Sequence, residues 1–499
     1  MSTSTTTNSS AATSRSLVPA RMDRLPWTRF HWMVIVGLGI SWVLDGLEIQ
    51  IVSNAGFAKE FHMDAGAVGW VGTIYLIGEV VGALVFGRLS DKLGRRRLFI
   101  LTLAIYLVGS AVAGLSPAIW FLFLFRFVAG LGIGGEYAAI NSAIDELIPS
   151  KYRGHVDIAI NGTYWGGAAL GAAANLYFLG GTFSDNIGWR LAFFIGPVLG
   201  VIIIFLRRHI PESPRWLMTH GHEQEAEETV TEIEKGIEAN GHTLEKVPDD
   251  QAMDIIPAGS IPFTNLWRRI TRKPLNDVTI TGILLIKYPK RTLVGATMMI
   301  TQSFLYNAIF FTYVLVLENF YHVPEAQTPL YFFPFAIGNL LGPILLGRLF
   351  DSWGRRQMIF LTYGISGLVL AVSAYLFSVG ALTATTQVIF WCVAFFFASA
   401  GASSAYLTVS EIFPLEIRSQ AISYFFALAQ IFGAIAPALY GALIGNGKDT
   451  GPLTFGYYLG AGIMIAGGVI ALIFGVDAAR KGLEAVTEPL SVVKPADKK

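Results

Sequence analysis

Runs of about twenty apolar residues, separated by short polar stretches, dominate the chain. Six fall at about 31–53, 66–87, 98–116, 119–142, 156–181 and 190–208, and six more at about 292–317, 328–349, 357–378, 386–408, 419–444 and 455–476. A helix rises ~1.5 Å per residue and the hydrocarbon of a bilayer is ~30 Å thick, so each run is long enough to cross it. A helix also satisfies its own backbone hydrogen bonds, which lipid cannot do. The pattern predicts an all-α polytopic membrane protein with twelve transmembrane helices. Between the two sets lies a polar stretch, 209–290. Its Glu-rich part, Glu223 to Glu238, predicts one or two short solvated helices. Its last part, Trp267 to Arg291, mixes basic and apolar residues and predicts an amphipathic segment on the membrane face. The chain thus divides into a disordered tail (1–30), a first six-helix bundle (31–208), a central loop (209–290), a second bundle (291–478) and a second tail (479–499). The central loop reads as a solvated linker rather than a regulatory domain.

Composition narrows the class. Of 499 residues 53% are hydrophobic and 14% charged, against ~25% charged in soluble domains. A string of soluble domains and a secreted disulfide scaffold are both excluded, and the single cysteine, Cys392, reads as a buried structural thiol. A net charge of +1 offers no field for nucleic acid. What matters is where the charges fall. Arg21, Arg24 and Arg29 precede the first run, and Arg88, Lys92, Arg95, Arg96 and Arg97 follow the second. Lys151 and Arg153, then Arg348, Arg355 and Arg356, then Arg418, then Arg480 and Lys481 occupy alternate loops later in the chain. The other loops hold little beyond Lys59, Arg190 and Lys448. Positive charge stays on the cytoplasmic side, so both termini and the central loop are expected there, in a cell-membrane protein.

The chain also repeats itself. Gly87-Arg88-Leu89-Ser90-Asp91-Lys92-Leu93-Gly94-Arg95-Arg96 returns as Gly347-Arg348-Leu349-Phe350-Asp351-Ser352-Trp353-Gly354-Arg355-Arg356. Glu146, Pro149 and Arg153 return as Glu411, Pro414 and Arg418 at the same spacing. Both matches join corresponding runs of the two halves, so the chain is a tandem duplication. Parallel half-repeats with a site between them are a transporter architecture. A topology signal alone explains the arginines but not the fixed Gly and Asp positions; ionic latches that make and break between rocking halves explain both.

With Pro211-Glu212-Ser213-Pro214-Arg215-Trp216 after the sixth run, these motifs resemble the major facilitator superfamily over residues 25–485. The resemblance is to the branch of sugar porters, synaptic-vesicle-type transporters and metabolite:proton symporters. It implies two six-helix bundles and alternating access. It also implies a gate at Gly87, Arg88, Asp91, Gly94, Arg95, Arg96, Glu146, Arg153, Glu212 and Arg215, with Gly347, Arg348, Asp351, Gly354, Arg355, Arg356, Glu411 and Arg418 in the second half.

Ionisable residues inside membrane spans are functional by default, because burying them costs several kcal/mol. Asp45 and Glu48 lie on one face of the first span, Glu79 in the second, Arg126 and Glu136 in the fourth. By rise per residue Asp45 and Arg126 reach similar depths. An Asp45–Arg126 contact that exists in one access state and loosens in the other would let Asp45 take up and release a proton; a static pair that fixes packing is the alternative. In sugar porters a span-1 Asp and a span-4 Arg play the coupling part. Glu48 is open between a second proton site, a solute ligand and a passive role. Glu136 is expected at the gate with Arg153 or Arg88, and Glu79 is left undecided. Polar and aromatic groups near mid-membrane are solute candidates: Asn161, Tyr164, Trp165, Gln302, Tyr306, Asn307, Asn339, Trp391 and Gln430. Thr301 stands where sugar porters have the first of two Gln, and their terminal Pro-Glu-Thr-Lys-Gly is missing around Asp477 to Leu483, so the solute is open between a sugar or polyol and an organic or aromatic acid.

The Gly130-to-Gly135 stretch contains GxGxxG but follows no strand, so it serves helix packing rather than a dinucleotide. Without a Walker A sequence, a metal-ligand spacing or a nucleophile constellation, no cofactor and no enzymatic activity are expected. The expected partners are a small solute, protons and lipid, the chain being a monomer. The expected function is proton-coupled uptake, set against a non-transporting sensor or scaffold on a transporter fold, or a facilitative uniporter or exporter. Span 5 lacks the Gly-Pro pair of drug antiporters, which favours uptake.

Overall fold

The computed structural model describes residues 14–53, 56–63, 65–178, 183–207, 209–255, 280–310, 312–324, 327, 330–445 and 447–492. Span 1 is Arg29–Ser53, span 2 Ala65–Leu93, span 3 Arg95–Gly114, span 4 Ile119–Leu147 and span 6 Asp185–Arg207. Span 7 is Pro289–Phe310, followed by the helix Tyr313–Tyr321. Spans 8 to 12 are Phe332–Ser352, Arg355–Ser378, Ala384–Ile412, Arg418–Ile444 and Gly451–Phe474. Among the described residues, 11 helices are long and apolar enough to cross a membrane. The remaining span, the fifth, is expected as one helix but is divided at Thr163 into Ser150–Gly162 and Tyr164–Tyr177. There the Thr163 hydroxyl donates to the Ile160 carbonyl at 2.6 Å, and Gly162 lies so close to span 8 that a Cβ would sit 2.6 Å from the Pro343 ring.

The duplication is visible in the packing. In the first half span 4 lies between spans 2 and 3, span 3 meets span 6, and span 1 meets spans 5 and 6. In the second half span 10 lies between spans 8 and 9, span 9 meets span 12, and span 7 meets spans 11 and 12. The halves join symmetrically: span 5 packs on spans 8 and 10, span 11 on spans 2 and 4. The short turns joining spans 2 to 3 and 8 to 9 repeat as well. Gly94 and Gly354 stand there at φ 93° and 104°, in the region other residues avoid. Outward faces stay apolar, with Val198, Ile202 and Phe205 of span 6 exposed as a lipid-facing surface requires.

The arginine-rich end of the bundle is capped by segments from both ends of the chain and the central loop. Residues 14–30, expected within a disordered tail, are instead ordered. Ser14–Ser16 pairs antiparallel with Met253–Ile255, and Val18–Asp23 is a helix. The helix Glu223–Ala239 buries Ala226, Val230, Ile233 and Ile237, one face at helical spacing. Arg21 and Arg24 bind its Glu234, at 2.7 and 2.6 Å. This docking compensates for the weak local signal of 14–30. Leu483–Val486 forms a short helix within the second tail. Most of the expected amphipathic segment, Trp267 to Thr279, lies outside the described residues; the rest is a helical turn, Ile280–Lys287, ahead of span 7.

Candidate functional site

Four buried ionisable groups meet mid-membrane in the first half: Asp45, Glu48, Glu79 and Arg126, each no more than 1% exposed. The expected Asp45–Arg126 pair does not form. Arg126 binds Glu48 instead, and Glu48 also accepts from Tyr106 at 3.2 Å and from Ser110 at 2.9 Å. The reason is directional: side chains on a helix lean toward its N-terminus. Span 4 begins at the end opposite the arginine-rich one, so Arg126 leans toward Glu48, one turn beyond Asp45. Its guanidinium lies 4.2 Å from the Tyr75 ring centroid. Asp45 is held by two phenols, Tyr75 at 2.9 Å and Tyr137. It faces a small cavity, no larger than about one water molecule, lined also by Ser41, Trp42, Ile133, Glu136 and Tyr137. Glu79 reaches across to the second half, accepting from Gln430 at 3.2 Å, while its other oxygen has no hydrogen-bond partner among the described residues.

Glu136 is not with Arg153 or Arg88. It binds Arg207, at 2.8 and 3.3 Å, and Arg207 further donates to Ser41 and to the Gly37 and Phe99 carbonyls. One guanidinium thereby ties spans 1, 3, 4 and 6. Arg207 was not visible as a site residue because, at the end of an apolar run, it reads as a topology charge.

The solute candidates form two groups. Ser303 of span 7 donates to Gln430 at 3.4 Å, and Asn307 turns back onto Ser303; these lie beside Glu79, and Gln302 is buried on the same span. Tyr306 donates to Asn339 at 2.7 Å and packs on Trp165, centroids 5.6 Å apart. Trp165 also meets Phe310 and Phe335, and Tyr164 lies against it at 5.3 Å. Two candidates lie elsewhere. Asn161 donates to Asn141 at 3.3 Å and to the Asp157 carbonyl at 2.8 Å, on the arginine-rich side. Trp391 lines a second cavity with Tyr313, Tyr331, Phe332, Phe335 and Val388. Near Asp45, Trp42, Tyr137 and Tyr406 form an aromatic wall, with centroids 4.5 to 6.1 Å apart.

At the arginine-rich end the repeat becomes a symmetric network. Arg95 donates to Glu146 at 2.9 Å and to the Ser90 carbonyl at 2.9 Å, with Asp91 3.2 Å away. Arg355 does the same with Glu411 (3.0 Å), the Phe350 carbonyl (2.9 Å) and Asp351 (2.7 Å). Each glutamate also faces an arginine of the opposite half, Glu411 with Arg153 at 2.9 Å and Glu146 with Arg418 at 3.5 Å. Asp91 crosses to the Gln420 N–H at 3.2 Å, and Asp351 to the His155 N–H at 2.8 Å. Gly87 and Gly347 lie at these crossings, where a Cβ would stand 1.8 Å from the Ser423 hydroxyl oxygen and 3.3 Å from the His155 carbonyl oxygen. Arg88, Arg96 and Arg348 are exposed, whereas Arg356 is half-buried and donates to the Leu472 carbonyl at 3.0 Å.

Glu212 accepts the N–H groups of Arg95 (2.8 Å) and Arg96 (3.1 Å), capping span 3. Burial pushes its carboxyl above its ordinary range, against the pull of these N–H groups. Asp477 serves span 9 in the same way, accepting the Arg355 N–H at 3.3 Å. Only its position after span 12, matching that of Glu212 after span 6, could have signalled this. Arg215 joins Asp23 at 3.0 Å to Glu484 at 3.1 Å, linking both chain ends.

The comparisons with known proteins show the family and the fold. The family model described as "Sugar (and other) transporter" matches residues 46–490, and the chain belongs to that family. It is a multi-pass membrane transporter of the major facilitator class, not an enzyme. It is 27% identical to the niacin transporter of Acinetobacter baylyi over 84% of this chain and 88% of that one. To the arabinose-proton symporter of Bacillus subtilis it is 26% identical, over 81% and 85%. To the benzoate transport protein of Acinetobacter baylyi it is 25% identical, over 85% of each. Its fold superposes on the proton:xylose symporter XylE bound to 6-bromo-6-deoxy-D-glucose with a TM-score of 0.73, at 16% identity, covering 92% of this chain and 99% of that one.

Proposed function

We propose that the chain imports a small polar organic solute together with protons, by alternating access, with the arginine-rich end at the cytoplasmic face. The observation that carries this reading is the charge balance mid-membrane. Asp45, Glu48 and Glu79 are three buried carboxylates, and Arg126 is the one cation among them. Arg126 neutralises Glu48. Leaving the other two charged in so dry a place would cost several kcal/mol each, and a bound proton removes that cost. Asp45 adjoins the cavity and, among the described residues, is held by tyrosine hydroxyls alone, so it is the group that exchanges protons when the cavity meets water. The Glu48–Arg126 pair is the fixed element.

The walls indicate the solute class. The aromatic faces of Trp42, Tyr137, Tyr406 and Trp165 suit a flat or weakly polar ring face, and Gln430, Asn307 and Asn339 suit its hydroxyl, carbonyl or carboxyl rim. Relatives whose names include niacin, benzoate and arabinose are consistent with such a solute.

Uptake by proteoliposomes under an imposed pH gradient tests the proposal, across a panel of sugars, polyols, and aromatic and aliphatic acids. The expected result is accumulation of at least one solute that collapses with a protonophore. If uptake of the transported solute is indifferent to the gradient, symport is wrong.

A further inference from the structure

The gate carries two acids that its two-fold design does not require. Asp145 of span 4 and Asp157 of span 5 are fully buried; Asp145 lies beside Ser410, and the Asp157 carboxylate has no hydrogen-bond partner among the described residues. The register that aligns Glu146 with Glu411 and Arg153 with Arg418 places Ser410 and Ile422 at the equivalent positions of the second half. Nothing in the symmetric latch needs them.

Charge counting shows what they lack. The buried arginines Arg95, Arg153, Arg355 and Arg418 are matched one for one by Asp91, Glu146, Asp351 and Glu411. Two negative charges remain. Asp145 is faced by Arg153, Arg418 and Glu411, and both Arg153 Nη1 and Arg418 Nε lack an acceptor, so Asp145 has cationic company. Asp157 is faced by two anions, Asp145 and Glu411, and by Arg355 and Arg153. Those two arginines are engaged with Glu411. A bare charge on Asp157 would be buried, unbonded and repelled.

Arg153 lies four residues before Asp157 on the same helix, the spacing at which side chains meet. Its partner Glu411 belongs to the other half. We propose that Asp157 is a proton-binding site of the gate, loaded while the arginine-rich end is closed and discharged when it opens, as Arg153 passes from Glu411 to Asp157. Opening takes Glu411 away with the second half while Arg153 stays with the first. The freed guanidinium then faces Asp157, whose O–H bond breaks; the electron pair stays on the carboxylate and the proton passes to the entering water. Acid at that face therefore holds the gate shut. This rests on the alternating-access reading but concerns a carboxyl apart from Asp45, Glu48 and Glu79.

The test reads gate opening rather than uptake, so its failure is distinguishable from a failure of symport. Spin labels on Lys92→Cys and Ser352→Cys, exposed ends of spans 2 and 8, in a Cys392→Ser background, report the separation of the halves in the reconstituted full-length protein. His155 is itself ionisable and bonds Asp351 across the interface at 3.1 Å, so His155→Gln is present in every sample. With Asp157 intact, the open-to-closed ratio should rise by up to about tenfold per pH unit, the slope for one released proton. Asp157→Asn should stay closed and lose that slope, Asp157→Glu should keep it, and Asp157→Ile, the residue of the second half, should match Asn. An unchanged slope in Asp157→Asn or Asp157→Ile overturns the proposal. So does a shift of the intact site by sodium at fixed pH, which would mark a metal-cation site.

Discussion

Arg126 donates to Glu48 and leaves Asp45, on the same face of the same helix, to two tyrosine hydroxyls. Two carboxylates one turn apart thus carry different burdens, and substitutions should separate them. Asp45→Asn is expected to abolish gradient-driven accumulation while sparing exchange of preloaded solute. Equal loss of both would make Asp45 structural.

Glu48→Gln should behave differently, because it strands a buried guanidinium. Removing one partner of a buried pair costs about 3–5 kcal/mol. We expect a marked fall in thermal unfolding temperature for Glu48→Gln and little change for Asp45→Asn, followed in detergent. Two variants of equal stability would remove the distinction between a fixed and a working carboxylate.

The latch joins Arg153 of one half to Glu411 of the other. Arg153→Ala and Glu411→Gln should therefore be non-additive, with a coupling energy of about 1–3 kcal/mol in a double-mutant stability cycle. Additive losses would show that the contact contributes nothing across the interface.

Gly154 is pressed against the second half: a Cβ there would stand 2.2 Å from both Arg355 Nη1 and Asp351 Oδ1. Gly154→Ala should keep the two halves apart at that end and lengthen the Lys92–Ser352 label distance. Gly364 has nothing within 4 Å of its would-be Cβ, and Gly364→Ala should leave the distance unchanged.

The docked N-terminal helix should loosen in acid. Burial alone would raise the Glu234 carboxyl, but the hydrogen bonds from Arg21 and Arg24 outweigh it and hold the group below the ordinary glutamate range. A depressed folded-state pKa contributes stability above the unfolded pKa, lost as pH falls through the folded one. Hydrogen exchange in Val18–Asp23 should be slow at neutral pH and accelerate below the ordinary glutamate range. In Glu234→Gln it should be fast throughout and insensitive to that step.

The twelve apolar runs, the duplication and the latch residues were legible because length, composition and a repeated motif encode them locally. Partner choice was not. Whether Arg126 meets Asp45 or Glu48, and whether Glu136 meets Arg153 or Arg207, depends on helix direction and rotation, which spacing along one helix does not report. The break at Thr163 was hidden by an unbroken apolar run; it is fixed by contact with Pro343 on another helix. Residues 14–30 carry too little periodicity to predict their order, which comes from a strand partner more than two hundred residues away. The capping role of Asp477 is not legible because the motif around it has drifted while its hydrogen bond to the Arg355 N–H persists.

Each glutamate of the latch holds two arginines, one from its own half and one from the other. When the halves part, Glu146 keeps Arg95 and Glu411 keeps Arg355, so neither carboxylate is stripped bare. The groups set loose are Arg153, which turns to Asp157 of its own helix in the gate proposed above, and Arg418, a guanidinium head on a long stem that entering water can hydrate. Each half therefore leaves the interface with its latch glutamate still paired. On the alternating-access reading proposed above, the barrier to separation is then set by moving and wetting cations rather than by abandoning buried anions.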